Sequence, residues 1–207
     1  MARMPSAERR RQLVEAAIRA MTRDGVPRTT TRSIAAEADV SLSVFHYCFG
    51  SKQELLESVI EAITEHSVAV VREAIRPKDT LRETVRAGFQ AYWNHVRTHP
   101  GEHMLTYELT QYALRQPGFG HLARRQYGLY TETFTQLIGQ LLDDMGLEPR
   151  VPVAVLAHYL AVMTDGLTLN FLVLGDETAA SDVLDTIADQ VVHLVHGGTR
   201  PVAPQAR

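Results

Sequence analysis

The stretch Val153–Leu174 is apolar on nearly all sides, and it sets the hardest condition on any fold of this chain. Its length is close to the ~20 residues with which a helix crosses a bilayer. Yet His158, Asp165 and Asn170 interrupt it and Gly166 sits within it. A membrane span would hold the Asp165 charge near its centre at a cost of about 3 kcal/mol. In water, a helix that is apolar all round must instead be covered on every side. The next segment, with Val183, Leu184, Ile187, Val191, Val192 and Val195, is similarly broad. Residues 52–197 are few to bury both helices inside one core. The pair is therefore predicted to pack against the same pair of a second copy, as a symmetric four-helix interface with no membrane involved.

The rest of the chain also reads as helix, with no alternating strand pattern and no internal repeat. A first helix over residues 7–24 carries Leu13, Val14, Ala17, Ile18 and Met21 on one face and stops at Gly25. Ser51 and Glu54 have the spacing of a capping box that opens a fourth helix, which ends before Pro77. Thr80 and Glu83 repeat that spacing ahead of a fifth helix, which Pro100-Gly101 breaks. A sixth spans about residues 102–115 and a seventh about 121–145; an eighth begins near Pro152 and a ninth near Ser181. Residues 198–207 read as a flexible tail.

Residues 30–52, TTRSIAAEADVSLSVFHYCFGSK, read as a helix-turn-helix reader of DNA. Thr30 is a helix N-cap candidate, and Ile34, Ala35 and Ala38 form the apolar face of a short helix. Asp39 falls where the chain turns, and Asp tolerates a left-handed backbone. Val40 plugs the angle between the two helices. Ser41 can cap a second helix with Phe45 and Phe49 inward and Leu42, Ser43, Val44, His46 and Tyr47 on its outer side. Such a helix has the length to enter a major groove.

This segment resembles the DNA-binding head of the tetracycline-repressor-like (TetR) family of bacterial regulators. The resemblance rests on Thr29-Thr30, Ile34-Ala35, Ala38-Asp39-Val40-Ser41, Phe45-His46-Tyr47-Cys48-Phe49 and Ser51-Lys52-Gln53-Glu54-Leu55-Leu56. Asp39 replaces the family's glycine, and His46 stands where the family usually has a phosphate-touching tyrosine, for which Tyr47 is a substitute. The resemblance implies an all-α chain of about nine helices. Residues 1–51 would form a three-helix DNA-binding head, and residues 52–197 a ligand-binding and dimerisation body. It also implies a repressor that binds a palindromic double-stranded operator as a homodimer through the last two helices and is released by a small hydrophobic or aromatic effector.

A division of labour on DNA follows. Arg32, Lys52 and the Tyr47 hydroxyl are candidates for phosphates, Thr31 and Ser43 for hydrogen bonds to bases or phosphates, and Leu42 and Val44 for thymine methyl groups, with the capping residues Thr30 and Ser41 also counted in the DNA-binding set. His46 facing a phosphate would make affinity pH-dependent. The free N–H groups at the start of the fourth helix offer a further phosphate site. Net charge is −3, but residues 1–55 carry nine basic groups against six acidic ones and the remainder twelve against eighteen. A positive head on a negative body suits a polyanion partner.

The body offers a set of aromatic residues, Phe89, Tyr92, Trp93, Tyr107, Tyr112, Tyr127, Tyr130 and Phe134, with Glu108, His158, Asp165 and Asn170 as polar groups. An aromatic-lined cavity with few polar anchors suits a planar or hydrophobic molecule, with Asp165 the foremost anchor. His95, His99 and His103 recur every four residues, but Pro100-Gly101 breaks their common face, and His193 and His196 lack acidic or cysteine neighbours, so neither a metal site nor a cofactor is expected. The single cysteine, Cys48, makes no disulfide framework. The opening MARMPSAERRR has no apolar signal region, so a cytoplasmic protein is expected. The alternative class is a helical-bundle carrier or enzyme. No HExxH, phosphate-cradling glycine loop or nucleophile elbow supports an enzyme.

Overall fold

The computed structural model describes residues 6–75 and 80–195. Among them nine helices follow one another and no strand occurs: α1 (Ser6–Asp24), α2 (Thr31–Glu37), α3 (Leu42–Cys48), α4 (Lys52–Ala74), α5 (Leu81–Thr98), α6 (Pro100–Arg115), α7 (Gly120–Met145), α8 (Val153–Leu174) and α9 (Glu177–Val195). The all-α class and the helix order are those expected. Two starts differ. Helix α6 opens at Pro100, because proline fits the first helical position, where its missing N–H is not needed. Helix α9 opens at Glu177 rather than near Ser181, because Asp176 Oδ1 accepts the Ala179 N–H at 2.9 Å and so caps the helix one turn earlier. Pro77, His196 and the tail at 198–207 lie outside the described residues.

These residues form two compact units, one of residues 6–67 and 96–129, the other of 68–75, 80–95 and 130–195. Helices α4, α5 and α7 each supply residues to both.

The first unit is built on α1, whose buried Leu13, Ala16, Ala17, Ala20 and Met21 recur at helical spacing. Against them lie Ile34 and Ala35 of α2, Phe45 and Phe49 at α3, Leu55, Leu56 and Val59 of α4, and Leu105 and Leu109 of α6. Gly25 ends α1 at φ 83°, a left-handed conformation that glycine adopts without steric cost.

In the second unit α8 packs on α9. Leu156, Ala157, Leu160, Thr164 and Thr168 form the buried side of α8, and Ala180, Leu184, Ile187, Ala188, Val191 and Val195 that of α9. The two buried threonines satisfy themselves by donating to the carbonyls four residues back, Thr164 to Leu160 at 2.7 Å and Thr168 to Thr164 at 2.8 Å. Arg82 and Arg86 of α5 tie onto α9 through Asp185 and Asp189, the shortest contact being Arg82 to Asp189 at 2.5 Å. The other side of α8 is not covered by described residues. Val155, Val162, Leu169, Val173 and Leu174 are all exposed there, Val173 by 71%.

Candidate nucleic-acid interface and ligand cavity

Local chemistry shapes the helix-turn-helix first. The Thr30 hydroxyl accepts the Ser33 N–H at 3.1 Å while Ser33 Oγ accepts the Thr30 N–H at 2.9 Å, a reciprocal cap that starts α2. Asp39 takes φ 53° and lets the chain turn sharply, and the Val40 N–H closes on the Ala35 carbonyl at 2.9 Å. From α1, the Gln12 side chain donates to the Ala38 carbonyl at 2.8 Å and so fixes the turn to the unit's core.

Helix α3 then points Phe45, Cys48 and Phe49 inward and leaves Ser43, His46 and Tyr47 exposed. Two expectations need correction here. Leu42 and Val44 are half-buried against the core rather than on the outer side, because a seven-residue helix lying on α1 and α2 must bury more than one row. Ser41 is the N-cap residue, but its hydroxyl makes no cap bond and sits 2.7 Å from that of Ser43.

The basic groups are mostly engaged within the unit. Arg10 donates to the Cys48 carbonyl and to Glu54 at 2.7 Å, and its guanidinium lies 4.2 Å from the Phe49 ring centre. Arg19 and Arg23 both hold Glu37, Arg11 pairs with Glu8, and Arg28 donates to the Asp24 carbonyl. These bonds hold Glu37 and Glu54 below the usual carboxylate range, through Arg23 first for Glu37 and Arg10 first for Glu54.

Lys52 corrects a further expectation. Its ammonium donates to the carbonyls of Thr29 at 2.7 Å and Val26 at 3.1 Å, and burial lowers its pKa. It clamps the segment between α1 and α2 rather than reaching outward. Helix α4 also carries its own anion at its start, since Glu54 Oε2 accepts the Gly50 N–H at 2.8 Å and Ser51 Oγ accepts that of Glu54 at 3.1 Å. Among the described basic residues of the motif, Arg32 is exposed and in no ion pair, and Thr31 beside it is half-buried at the first position of α2.

The aromatic set in the body separates. Tyr107, Glu108, Tyr112 and Tyr127 belong to the first unit. Glu108 accepts the Val26 N–H at 3.0 Å, and Tyr112 stacks edge-on to Phe119 with ring centres 5.9 Å apart. Phe89, Tyr92 and Phe134 line an apolar cavity in the second unit, with Val71 and Ile75 at the end of α4, Val85 and Gly88 of α5, Leu137, Ile138 and Leu141 of α7, and Leu160 and Thr164 of α8. Trp93 is buried against Phe171, ring centres 4.5 Å apart, and Asn170 is exposed. Asp165 is half-buried and, like Tyr130, not among the lining residues, because its position on α8 is one step round from Thr164. The Tyr92 hydroxyl, 2.8 Å from Thr168 Oγ1, stays protonated well above the ordinary tyrosine range, chiefly because it is buried. Gly88 was the missed signal: a glycine inside an amphipathic helix marks a close approach. A Cβ there would come 2.7 Å from Ile75 Cγ1.

Comparison with known proteins gives one consistent picture. Residues 13–59 match the family described as bacterial regulatory proteins, tetR family, and residues 77–196 match BetI-type transcriptional repressor, C-terminal. The chain is similar to the nicotine-responsive transcriptional repressor HdnoR of Paenarthrobacter nicotinovorans, 26% identical over 90% of this chain and 95% of that protein. It is 37% identical to the transcriptional regulator BetI of Agrobacterium fabrum over 40% of this chain and 42% of that one. In fold it is similar to a transcriptional regulator from Rhodococcus, with a TM-score of 0.71 at 16% identity over 91% of this chain and 98% of the other. A TetR transcription regulator from Haloarcula marismortui gives the same TM-score of 0.71 at 16% identity, over 91% of this chain and 99% of the other.

Proposed function

As a member of the tetR family of bacterial regulatory proteins with a BetI-type repressor C-terminal region, the chain is a DNA-binding transcriptional regulator, and we propose that it represses from a palindromic operator as a homodimer. Residues 1–51 act as the DNA-reading head and residues 52–197 as the effector-binding and dimerisation body, in the cytoplasm. The observation that carries the reading is α3. It is anchored by Phe45, Cys48 and Phe49 and presents Ser43, His46 and Tyr47 to solvent directly after the left-handed turn at Asp39. Arg32 and the Tyr47 hydroxyl hold phosphates, Thr31 and Ser43 supply hydrogen bonds, and the exposed edges of Leu42 and Val44 meet thymine methyl groups.

The exposed face of α8 supports the dimer. Five large apolar side chains in water are a liability for a lone subunit, and a symmetric contact with the same face of a second copy removes them from water. Two recognition helices then address half-sites about 34 Å apart or a multiple of that.

The effector enters the apolar cavity of the second unit. Its wall includes Val71 and Ile75, near the end of the helix whose first turn carries Lys52 and Glu54. An effector that fits better when α4 is displaced therefore biases the head away from the operator-binding arrangement.

Selection of random duplex DNA by the purified protein at a stated salt concentration, followed by sequencing, tests this reading. Enrichment of a palindrome supports a dimeric regulator. Enrichment of a single asymmetric half-site would overturn the two-fold arrangement, and no enrichment by ligand-free protein would overturn the assignment of the head.

A further inference from the structure

Among the described residues that line the cavity of the second unit there is no charged side chain. Its polar groups are two hydroxyls already engaged by the protein. Thr164 gives its proton to the Leu160 carbonyl at 2.7 Å, and Tyr92 shares a 2.8 Å hydrogen bond with Thr168. Arg82 and Arg86 of α5 pair with Asp185, and Asp165, whose charge acts on the Tyr92 hydroxyl, stands outside the lining. An ion stripped of water in this space would meet no opposite charge among these lining residues.

The free volume is about 50 Å³. A water molecule's share of the liquid is about 30 Å³, so a ligand must displace side chains to enter. Ile75 already occupies the space that a side chain at position 88 would need, 2.7 Å from where its Cβ would lie. Displacing Ile75 would open room along α5 beside Gly88.

We propose that the cavity takes an uncharged molecule with a hydrocarbon body, and that Gly88 and Ile75 together set how bulky it can be. The inference rests on the reading of this cavity as the effector site. It sets the chain apart from any regulator that grips a cationic effector through acidic side chains. A terminal hydroxyl on the ligand would be accommodated by donating to the hydroxyl oxygen of Thr164 or Tyr92; a carboxylate, with no donor left to meet it among the described lining residues, or an ammonium, with no opposite charge among them, would not.

Calorimetric titration of the full chain with 1-octanol, octanoate and octyltrimethylammonium compares one hydrocarbon body in three charge states. Nicotine, a base that is cationic at neutral pH, provides a further charged probe. Octanol is expected to bind at least about tenfold more tightly than any of the ions, a free-energy gap of ~1.4 kcal/mol. Gly88→Leu, checked for folding by its thermal transition, is expected to abolish octanol binding. Ile75→Ala is expected to extend binding to bulkier uncharged alcohols while still excluding the ions. Equal or tighter binding of any ion, no octanol binding, or octanol binding unchanged by Gly88→Leu would overturn the proposal. Operator release is read separately. Octanol that binds in the cavity without lowering operator affinity leaves the ligand class standing and removes the effector role from the site.

Discussion

The Glu108 carboxylate on α6 accepts the backbone N–H of Val26 at 3.0 Å, joining positions 82 residues apart. It does so over Gly25, at φ 83°, where a Cβ would lie 2.9 Å from the same carboxylate oxygen. The segment leading into the helix-turn-helix is thereby held by α6 from one side and by Lys52 from another. Glu108→Ala leaves a partly buried amide without its partner and is expected to lower stability by about 1–3 kcal/mol in urea unfolding. Glu108→Gln, which keeps an acceptor oxygen, should recover most of that. Effector affinity should not move in either variant.

Arg32 and Arg10 should separate binding from stability. Arg32 is exposed and in no ion pair among the described residues, so Arg32→Ala should weaken DNA binding uniformly across sequences. It should also reduce the slope of log K against log salt by about 1 per subunit. Arg10 bonds Cys48, Glu54 and the Phe49 face. Arg10→Ala should therefore lower the melting temperature, with the salt slope retained at temperatures where the head stays folded.

At Asp39 the backbone itself is the test. The φ of 53° is tolerated by Asp and free for Gly, so Asp39→Gly should be close to neutral in stability. Asp39→Val places a β-branched side chain in the left-handed region and should cost about 1–2 kcal/mol. Equal stability of the two variants would contradict the turn geometry.

Acid should loosen the first unit. Glu37 and Glu54 are both held below the ordinary glutamate value of 4.5, by Arg23 and Arg10 respectively before other groups. A folded-state pKa below the unfolded one means the stabilisation is present above about pH 4.5 and is lost as pH falls through the depressed values. Unfolding measured from pH 6 downward should show this loss, and the double variant Glu37→Gln, Glu54→Gln should flatten it.

The bare side of α8 makes a prediction about assembly. Val162 is 55% exposed, so Val162→Asp should leave the folded subunit intact. Two facing carboxylates across a two-fold contact would repel and lose their water, and light scattering should find a monomer. A variant that remains dimeric would place the interface elsewhere.

Much of this architecture is legible in the sequence because its signals are local. The 3.6-residue spacing of Leu13, Ala17 and Met21 on α1, the Thr30 cap and the turn-permitting Asp39 each express a preference that a few neighbouring residues decide. The aromatic set is different. Tyr112 and Phe134 look alike in sequence, yet one packs on Phe119 in the first unit and the other lines the cavity of the second. Asp165, the foremost anchor expected from sequence, stands one position from the lining Thr164, and on a helix one position is about 100° of rotation.

An all-helical chain with a turn-linked helix pair and an eighth helix apolar on nearly all sides follows from the amino-acid order alone, because periodicity, capping and hydrophobicity act over a few residues. What the polar groups do depends on the folded arrangement. Lys52 faces two backbone carbonyls instead of open water, and Glu108 an amide instead of a ligand. A charged side chain's role is set by the groups within about 3 Å of it, and folding brings those groups from distant parts of the chain.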